Sequence, residues 1–158
     1  MTTTVYYVAC SLDGFIADIG AVIMGAETYE FILNDPAEWS YTMPAWVLSH
    51  RELPGVDGAD IRFTQADGPG DIAALHAAAA LAAGEKNVWV IGGGNVASQF
   101  ADAGLLDEVR VSVAPVTLGS GRPLLPRRLE SDRLRLKSVR QAGQFAELVY
   151  SVTSRPDE

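Results

Sequence analysis

Short apolar runs, each closed by a turn-forming residue, recur along the chain. The run at residues 5–9 is β-branched, aromatic or small, and Asp13 and Gly14 follow it as a turn signal. Runs of this kind are typical of strands buried on both faces. The same criterion predicts eight strands, at residues 5–9, 21–24, 45–48, 61–64, 87–91, 109–114, 134–139 and 145–152.

Helical patterns lie between the early strands. Residues 71–83 are rich in Ala and Leu, with Asp71 suited to the first turn and Gly84 to the position after the last one. Shorter helices are predicted at residues 28–33 and 96–103. The order predicts an α/β fold: a mostly parallel eight-stranded sheet, helices on both faces and an antiparallel C-terminal hairpin. We expect one domain over residues 1–153, with residues 154–158 as a loose tail.

Composition narrows the class of protein. Nearly half of the 158 residues are hydrophobic, but no apolar run reaches the ~18–20 residues that a membrane span needs. No basic region precedes an apolar stretch at the start, so we expect no secretion signal. Cys10 is the single cysteine, which excludes an internal disulfide and fits a reducing cytoplasm.

The formal charge of −8 argues against nucleic acids and anionic membranes as partners. An anionic small molecule could still bind, provided that local groups overcome the overall field. Helix N-termini, backbone amides and one or two arginines are groups of that kind.

Three glycines, Gly92, Gly93 and Gly94, join a predicted strand to a predicted helix. Glycine lets the backbone approach a phosphate closely, and the amides at a helix start can hold a pyrophosphate. The motif is neither the Gly-x-Gly-x-x-Gly fingerprint nor a P-loop. Taken alone, the glycines fit a tight turn without a ligand equally well.

Longer motifs resemble the dihydrofolate reductase superfamily. Residues 91–100 resemble its cofactor motif, and residues 105–109 and 113–124 follow in the order seen there. Residues 11–17 resemble the start of its riboflavin-biosynthesis reductase branch, and residues 24–30 its second cofactor-contacting segment. The chain is therefore identified as similar to that branch, which implies an NADPH-dependent reductase.

The resemblance also implies roles for individual residues. Those around the cofactor are Ala9 and Ile16 (backbone contacts to the nicotinamide), Gly25 and Thr28 (the side opposite the glycine motif), Ser49, His50 and Arg51 (the 2′-phosphate), and Gly92, Gly93, Gly94, Asn95 and Val96 (the pyrophosphate). Asp13 borders the substrate in that branch, although an Asp-Gly pair is also ordinary turn chemistry. No catalytic side chain is identified.

Several of these residues have an ordinary interpretation as well. Ala26 stands where the superfamily often has arginine, so the preference for NADPH over NADH depends on Arg51 and its neighbours. An arginine after a strand is often simply solvated, and His50 could be a surface histidine. His76 lies in an Ala-rich helix and is expected to be structural. We expect no metal site.

The connection between the first two strands is unexpectedly short. Only about ten residues separate them, whereas parallel strands need a crossover of about a dozen or more. Either a substrate-covering segment has been deleted or, as we favour, it is mobile and absent from this sequence. On the favoured alternative, we expect Asp18 and Ile19 not to be covalent neighbours. A chain continuous at this point would lack that lid, which would favour a non-catalytic protein.

Two classes of function follow. The first is an NADPH-dependent reductase of a small heterocycle or sugar imine, with 5-amino-6-(5-phosphoribosylamino)uracil as the best guess and dihydrofolate as a variant. The second is an NADP-binding module without catalysis. The resemblance also implies a homodimer, and apolar segments at residues 118–126 and along the last strands fit one.

Overall fold

The computed structural model describes residues 2–8, 18–34 and 39–154. Within these residues, six strands are interspersed with three helices up to Val113, and two further strands form a C-terminal hairpin. Their bounds are β1 (Thr4–Val8), β2 (Ile19–Gly25), α1 (Ala26–Asn34), β3 (Ala45–Leu48), β4 (Ile61–Thr64), α2 (Pro69–Ala83), β5 (Asn87–Gly92), α3 (Gly94–Asp102), β6 (Glu108–Val113), β7 (Leu134–Ala142) and β8 (Phe145–Val152).

The strands form one sheet in the order β4-β3-β2-β5-β1-β6-β8-β7. All pairs from β4 to β6 are parallel, whereas β8 pairs antiparallel with both β6 and β7. The predicted fold class is confirmed. The glycine-bearing β5 lies between β1 and β2, so its end is at the centre of the parallel part.

Alternating side chains of the central strands build two cores. Ala21 and Ile23 of β2 face α2 and α3, and their cluster includes Phe100 of α3. Val22 and Met24 of the same strand face α1, whose Tyr29 is fully buried among them. Helices therefore cover both faces, as the period of two along each strand requires.

Helices α1 and α3 begin earlier than predicted. α1 starts at Ala26 and α3 at Gly94, each two residues before the expected start. Because glycine is a poor helix former in helix interiors, the sequence pattern placed the start of α3 after Gly94 rather than at it. The first turn tolerates it, because amides there have no intrahelical acceptor in any case. Thus α1 follows β2 directly, and a single residue, Gly93, separates α3 from β5.

The chain runs without a break from Asp18 into β2, so the interruption expected there is wrong for this chain. Asp18 has a φ of 60°, and its carbonyl accepts a hydrogen bond from the Asn87 amide at 2.7 Å. In the sheet, β5 lies between β1 and β2, so residues 9–17 connect two strands that are not neighbours. Ala9, Asp13 and Ile16 belong to this connection and lie outside the described residues.

The hairpin end of the sheet is much more exposed than the parallel part. On β7 and β8, Leu136, Val139 and Phe145 are large exposed apolar side chains, and Leu118 and Leu124 in the preceding segment are exposed too. The exposed apolar surface predicted for these segments is therefore present. Among the described helices, none is long and apolar enough to cross a membrane.

Candidate cofactor cleft

A cleft of about 1060 Å³ opens where β2, β3 and β5 end. Crevices at the carboxyl ends of parallel strands are where open α/β sheets bind ligands. Its walls are formed chiefly by the whole length of α1, the end of β3 with the loop after it, the first turns of α3 and the segment 122–126. The residues used below that line it are Gly25, Glu27, Thr28, Glu30, Phe31, Asn34, Ser49, His50, Gly93, Gly94, Asn95, Val96 and Arg122.

The start of α3 is open towards this cleft. Gly93 is the N-cap residue, and no side chain caps the helix. A Cβ atom built on Gly93 would have no neighbouring atom within 4 Å. An anion could therefore approach the first-turn amides, whose dipoles favour negative charge.

The flanking glycines are required by the protein itself. A Cβ on Gly92 would lie 3.0 Å from Thr28 Oγ1, and one on Gly94 would lie 2.3 Å from the Leu124 carbonyl oxygen. That carbonyl also accepts a hydrogen bond from the Tyr6 hydroxyl at 2.9 Å, which fixes the segment over α3. Gly92 itself does not line the cleft.

Helix α1 presents one stripe of side chains, three polar and one aromatic, to the cleft. Glu27, Glu30, Phe31 and Asn34 follow the spacing i, i+3, i+4, i+7, and all four line it. The opposite side of the helix carries buried Tyr29 and packs into the core. Phe31 is 75% exposed, which is unusual for a phenylalanine and leaves its ring available in the cleft.

Each basic side chain at this end of the sheet has an acidic partner. Arg51 donates through Nη1 and Nη2 to both carboxylate oxygens of Glu30, at 2.9 Å each. Arg122 pairs with Glu27 across the mouth of the cleft. His50 Nε2 lies 3.0 Å from Asp67 Oδ1.

Hydrogen bonding couples the ionisation of Arg51 and Glu30. The hydrogen bond from Arg51 lowers the pKa of the Glu30 carboxyl, and the bond to Glu30 raises the pKa of the Arg51 guanidinium. Both charges of the Glu30–Arg51 pair are therefore present at neutral pH.

Ser49 shapes the loop that carries Arg51, because its hydroxyl accepts a hydrogen bond from the Arg51 amide and donates one to the Arg51 carbonyl.

The predicted site residues mostly converge. Gly25, Thr28, Ser49, His50 and the segment 93–96 line the cleft. Arg51 instead lines an adjoining hollow of about 630 Å³, which shares Ser49 and His50 with the cleft. Ala9, Asp13 and Ile16 cannot be placed, since they lie outside the described residues.

Among the lining residues that sequence reasoning missed are Glu27, Glu30, Phe31 and Arg122. The spacing of the first three along α1 was visible in the sequence. The sequence could not reveal that this stripe of α1 faces a cleft rather than bulk solvent.

His76 lies away from the cleft. Its Nε2 shares a hydrogen bond of 2.8 Å with Thr4 Oγ1, beside the buried Phe100 ring. Burial lowers the pKa of the imidazole, and the charge of Asp107 opposes that shift. In the described part of the chain, no three His, Cys, Asp or Glu residues are grouped to hold a metal ion.

Comparison with known sequences finds relatives over nearly the whole chain. A family model described as the RibD C-terminal domain matches residues 39–146. The uncharacterized protein YwjB of Bacillus subtilis (strain 168) is 27% identical, covering 93% of this chain and 96% of the relative. That alignment spans 174 positions, more than this chain has residues, so some positions of YwjB have no counterpart here.

Solved structures share the fold. A putative riboflavin biosynthesis protein from Shewanella sp. PV-4 superposes with a TM-score of 0.72 at 21% identity, covering 97% of this chain and all of the other. A pyrimidine reductase-like protein from Corynebacterium diphtheriae gives 0.65 at 13% identity, covering 97% and 92%. RibD of Acinetobacter baumannii gives 0.61 at 19%, and this chain covers 58% of it.

Proposed function

Because the chain belongs to the RibD C-terminal domain family, we propose that it is a reductase that binds NADPH in the cleft at the ends of β2, β3 and β5. The open N-terminus of α3 carries this proposal. It combines a helix dipole, backbone amides without a side-chain cap and unfilled space beside Gly93. These are the features that a pyrophosphate needs.

The other cleft residues fit the rest of a dinucleotide. Gly25 and Thr28 would contact it beside the glycine motif, which they adjoin in the structure rather than face from the opposite side as the sequence suggested. Ser49, His50 and Arg51 would receive the 2′-phosphate. Arginine suits that role by its charge and planar fork. The backbones of Ala9 and Ile16 would hold the nicotinamide, which supplies the hydride when NADPH is bound.

The substrate that we propose is a pyrimidine carrying a ribosylamino group, of the 5-amino-6-(5-phosphoribosylamino)uracil type. The names of the Shewanella and Corynebacterium proteins support this class. Asp13 is the residue that we propose for a substrate hydroxyl or amine. The same proposal includes a cytoplasmic homodimer.

Calorimetric titration of the whole chain with NADPH and NADH tests cofactor binding, and loss of NADPH absorbance with a candidate pyrimidine tests turnover. We expect NADPH to bind and to be consumed only when substrate is present. The proposal would be refuted if neither NADPH nor NADH bound to the chain.

A non-catalytic NADP-binding module is the second candidate. It is favoured by the continuous, short connection from β1 to β2, which leaves little chain to cover a substrate. Family membership is the reason for placing the reductase first. NADPH binding without turnover on any pyrimidine substrate would favour the second candidate.

A further inference from the structure

The Glu30–Arg51 pair lies where two cavities meet. Glu30 lines the main cleft, whereas Arg51 lines the adjoining hollow. The two side chains are joined by two hydrogen bonds, so the pair of N–H groups at the Nη1/Nη2 end of the guanidinium is taken by one carboxylate. A phosphate that binds this end of Arg51 must compete with Glu30.

Resting on the proposed binding of a nicotinamide dinucleotide, we propose that Glu30 sets the choice between NADPH and NADH by competing with the 2′-phosphate for Arg51. A carboxylate and a phosphate both accept the paired N–H groups of arginine. A 2′-phosphate therefore displaces Glu30 and leaves its charge beside the incoming anion. A cofactor with a 2′-hydroxyl leaves the ion pair intact.

The surrounding charges strengthen this competition. Glu27 lies three residues before Glu30 on the same face of α1, and its charge also acts on Arg51. A displaced Glu30 thus stands beside a second carboxylate while it faces a phosphate. Ala26 adds no positive charge that would compensate.

Glu27 provides a matched control. It is also a carboxylate on the cleft side of α1 and is also paired with an arginine, but its partner is Arg122. Arg122 lies on the wall that faces the start of α3, where the pyrophosphate common to both cofactors would bind. Neutralising Glu27 should therefore shift the affinities for both cofactors. Because its charge acts on Arg51 only as a minor influence, it should change the preference for NADPH far less than neutralising Glu30 does.

The test is a calorimetric titration of the wild type, Glu30→Gln, Glu27→Gln, Arg51→Ala and the Glu30→Gln/Arg51→Ala double variant with NADPH and NADH. Thermal unfolding first establishes that each variant folds. We expect Glu30→Gln to bind NADPH about fivefold more tightly, the factor that matches an exposed ion pair, with NADH affinity unchanged. Glu27→Gln should shift both affinities and change their ratio far less than Glu30→Gln does, and the gain from Glu30→Gln should vanish without Arg51.

An equal shift for NADPH and NADH in Glu30→Gln would overturn the inference, as would a gain that persists in the double variant. Those outcomes leave the proposed function standing. Failure of the wild type and every variant to bind either cofactor would instead overturn the proposed function, and the inference with it.

Discussion

At the scale of single residues, the three glycines at the junction of β5 and α3 lack a side chain for three different reasons. Gly92 leaves room for the Thr28 side chain, and Gly94 leaves room for the Leu124 carbonyl. Only Gly93 faces open space. A glycine motif thus mixes positions required for packing with one that is available for a ligand.

Separate substitutions of Gly93 and Gly94 should therefore have different effects: the first should weaken cofactor binding, and the second should lower the stability of the fold. Gly93→Val should keep the free energy of unfolding near that of the wild type and weaken NADPH at least tenfold, or about 1.4 kcal/mol, by blocking backbone approach. Gly94→Ala should destabilise the fold, because its Cβ would collide with backbone. Urea unfolding and NADPH titration of both variants check this; full affinity in a folded Gly93→Val would refute the pyrophosphate assignment.

His76 predicts a specific pH dependence of stability. Burial lowers the pKa of its imidazole below the ordinary 6.5, so the folded state favours the neutral ring. The stability contribution is complete above pH 6.5 and is lost as the pH falls through the lowered pKa, because the unfolded chain takes up the proton first.

The measurement is the free energy of unfolding of the wild type minus that of His76→Asn, followed from neutral pH downwards. We expect this difference to shrink below about pH 6.5, the unperturbed pKa of histidine. A constant difference, or one that grows as the pH falls, would show that His76 is not held neutral.

At the scale of elements, α1 packs into the core with one face and lines the cleft with the opposite face. Tyr29 anchors it to the core, where its hydroxyl donates to the Pro54 carbonyl at 2.6 Å. The opposite stripe carries the exposed Phe31 ring into the cleft. A ring in that position can stack on a planar group of a bound ligand.

Phe31→Ala should weaken NADPH by about fivefold without loss of stability, since the ring is exposed in the free protein. Leu81→Ala is the matched control, because Leu81 is also a highly exposed apolar residue but lies on α2. Equal affinities for the wild type and Phe31→Ala would mean that the ring does not contact the cofactor.

Strands and helices were predictable because their patterns are local. β3 and β4 have the predicted bounds, and Gly84 caps α2 with a positive φ. Gly104 also has a positive φ and follows Ala103, the C-cap of α3. The Glu30–Arg51 pair was not predictable, because it joins residues 21 apart through the arrangement of two elements. The need for Gly94 likewise depends on Leu124, which is distant in sequence.

At the scale of the whole molecule, exposed apolar surface is concentrated at one end of the sheet. The two cores lie in the parallel part, whereas most side chains of β7 are exposed. Val139 on this edge strand is 63% exposed. An uncovered edge with apolar side chains is a surface at which a second copy of the chain can pair.

Val139→Glu should therefore dissociate the homodimer that we propose, because it places a charge in an apolar contact. Leu81→Glu, at a comparably exposed position on α2, should leave the assembly intact. Sedimentation at micromolar concentration checks both. A wild type that sediments only as the 16.9 kDa chain would contradict the dimer.

The most direct test of the account is an NMR titration of the isotopically labelled chain with NADPH, following the backbone amides. We predict that the largest shift changes fall on the start of α3, at residues 93–96, and on residues 25–28 at the start of α1. Smaller changes should follow around Arg51. Saturating NADPH that leaves these amides unmoved, or that moves a different surface, would contradict the cleft as the cofactor site.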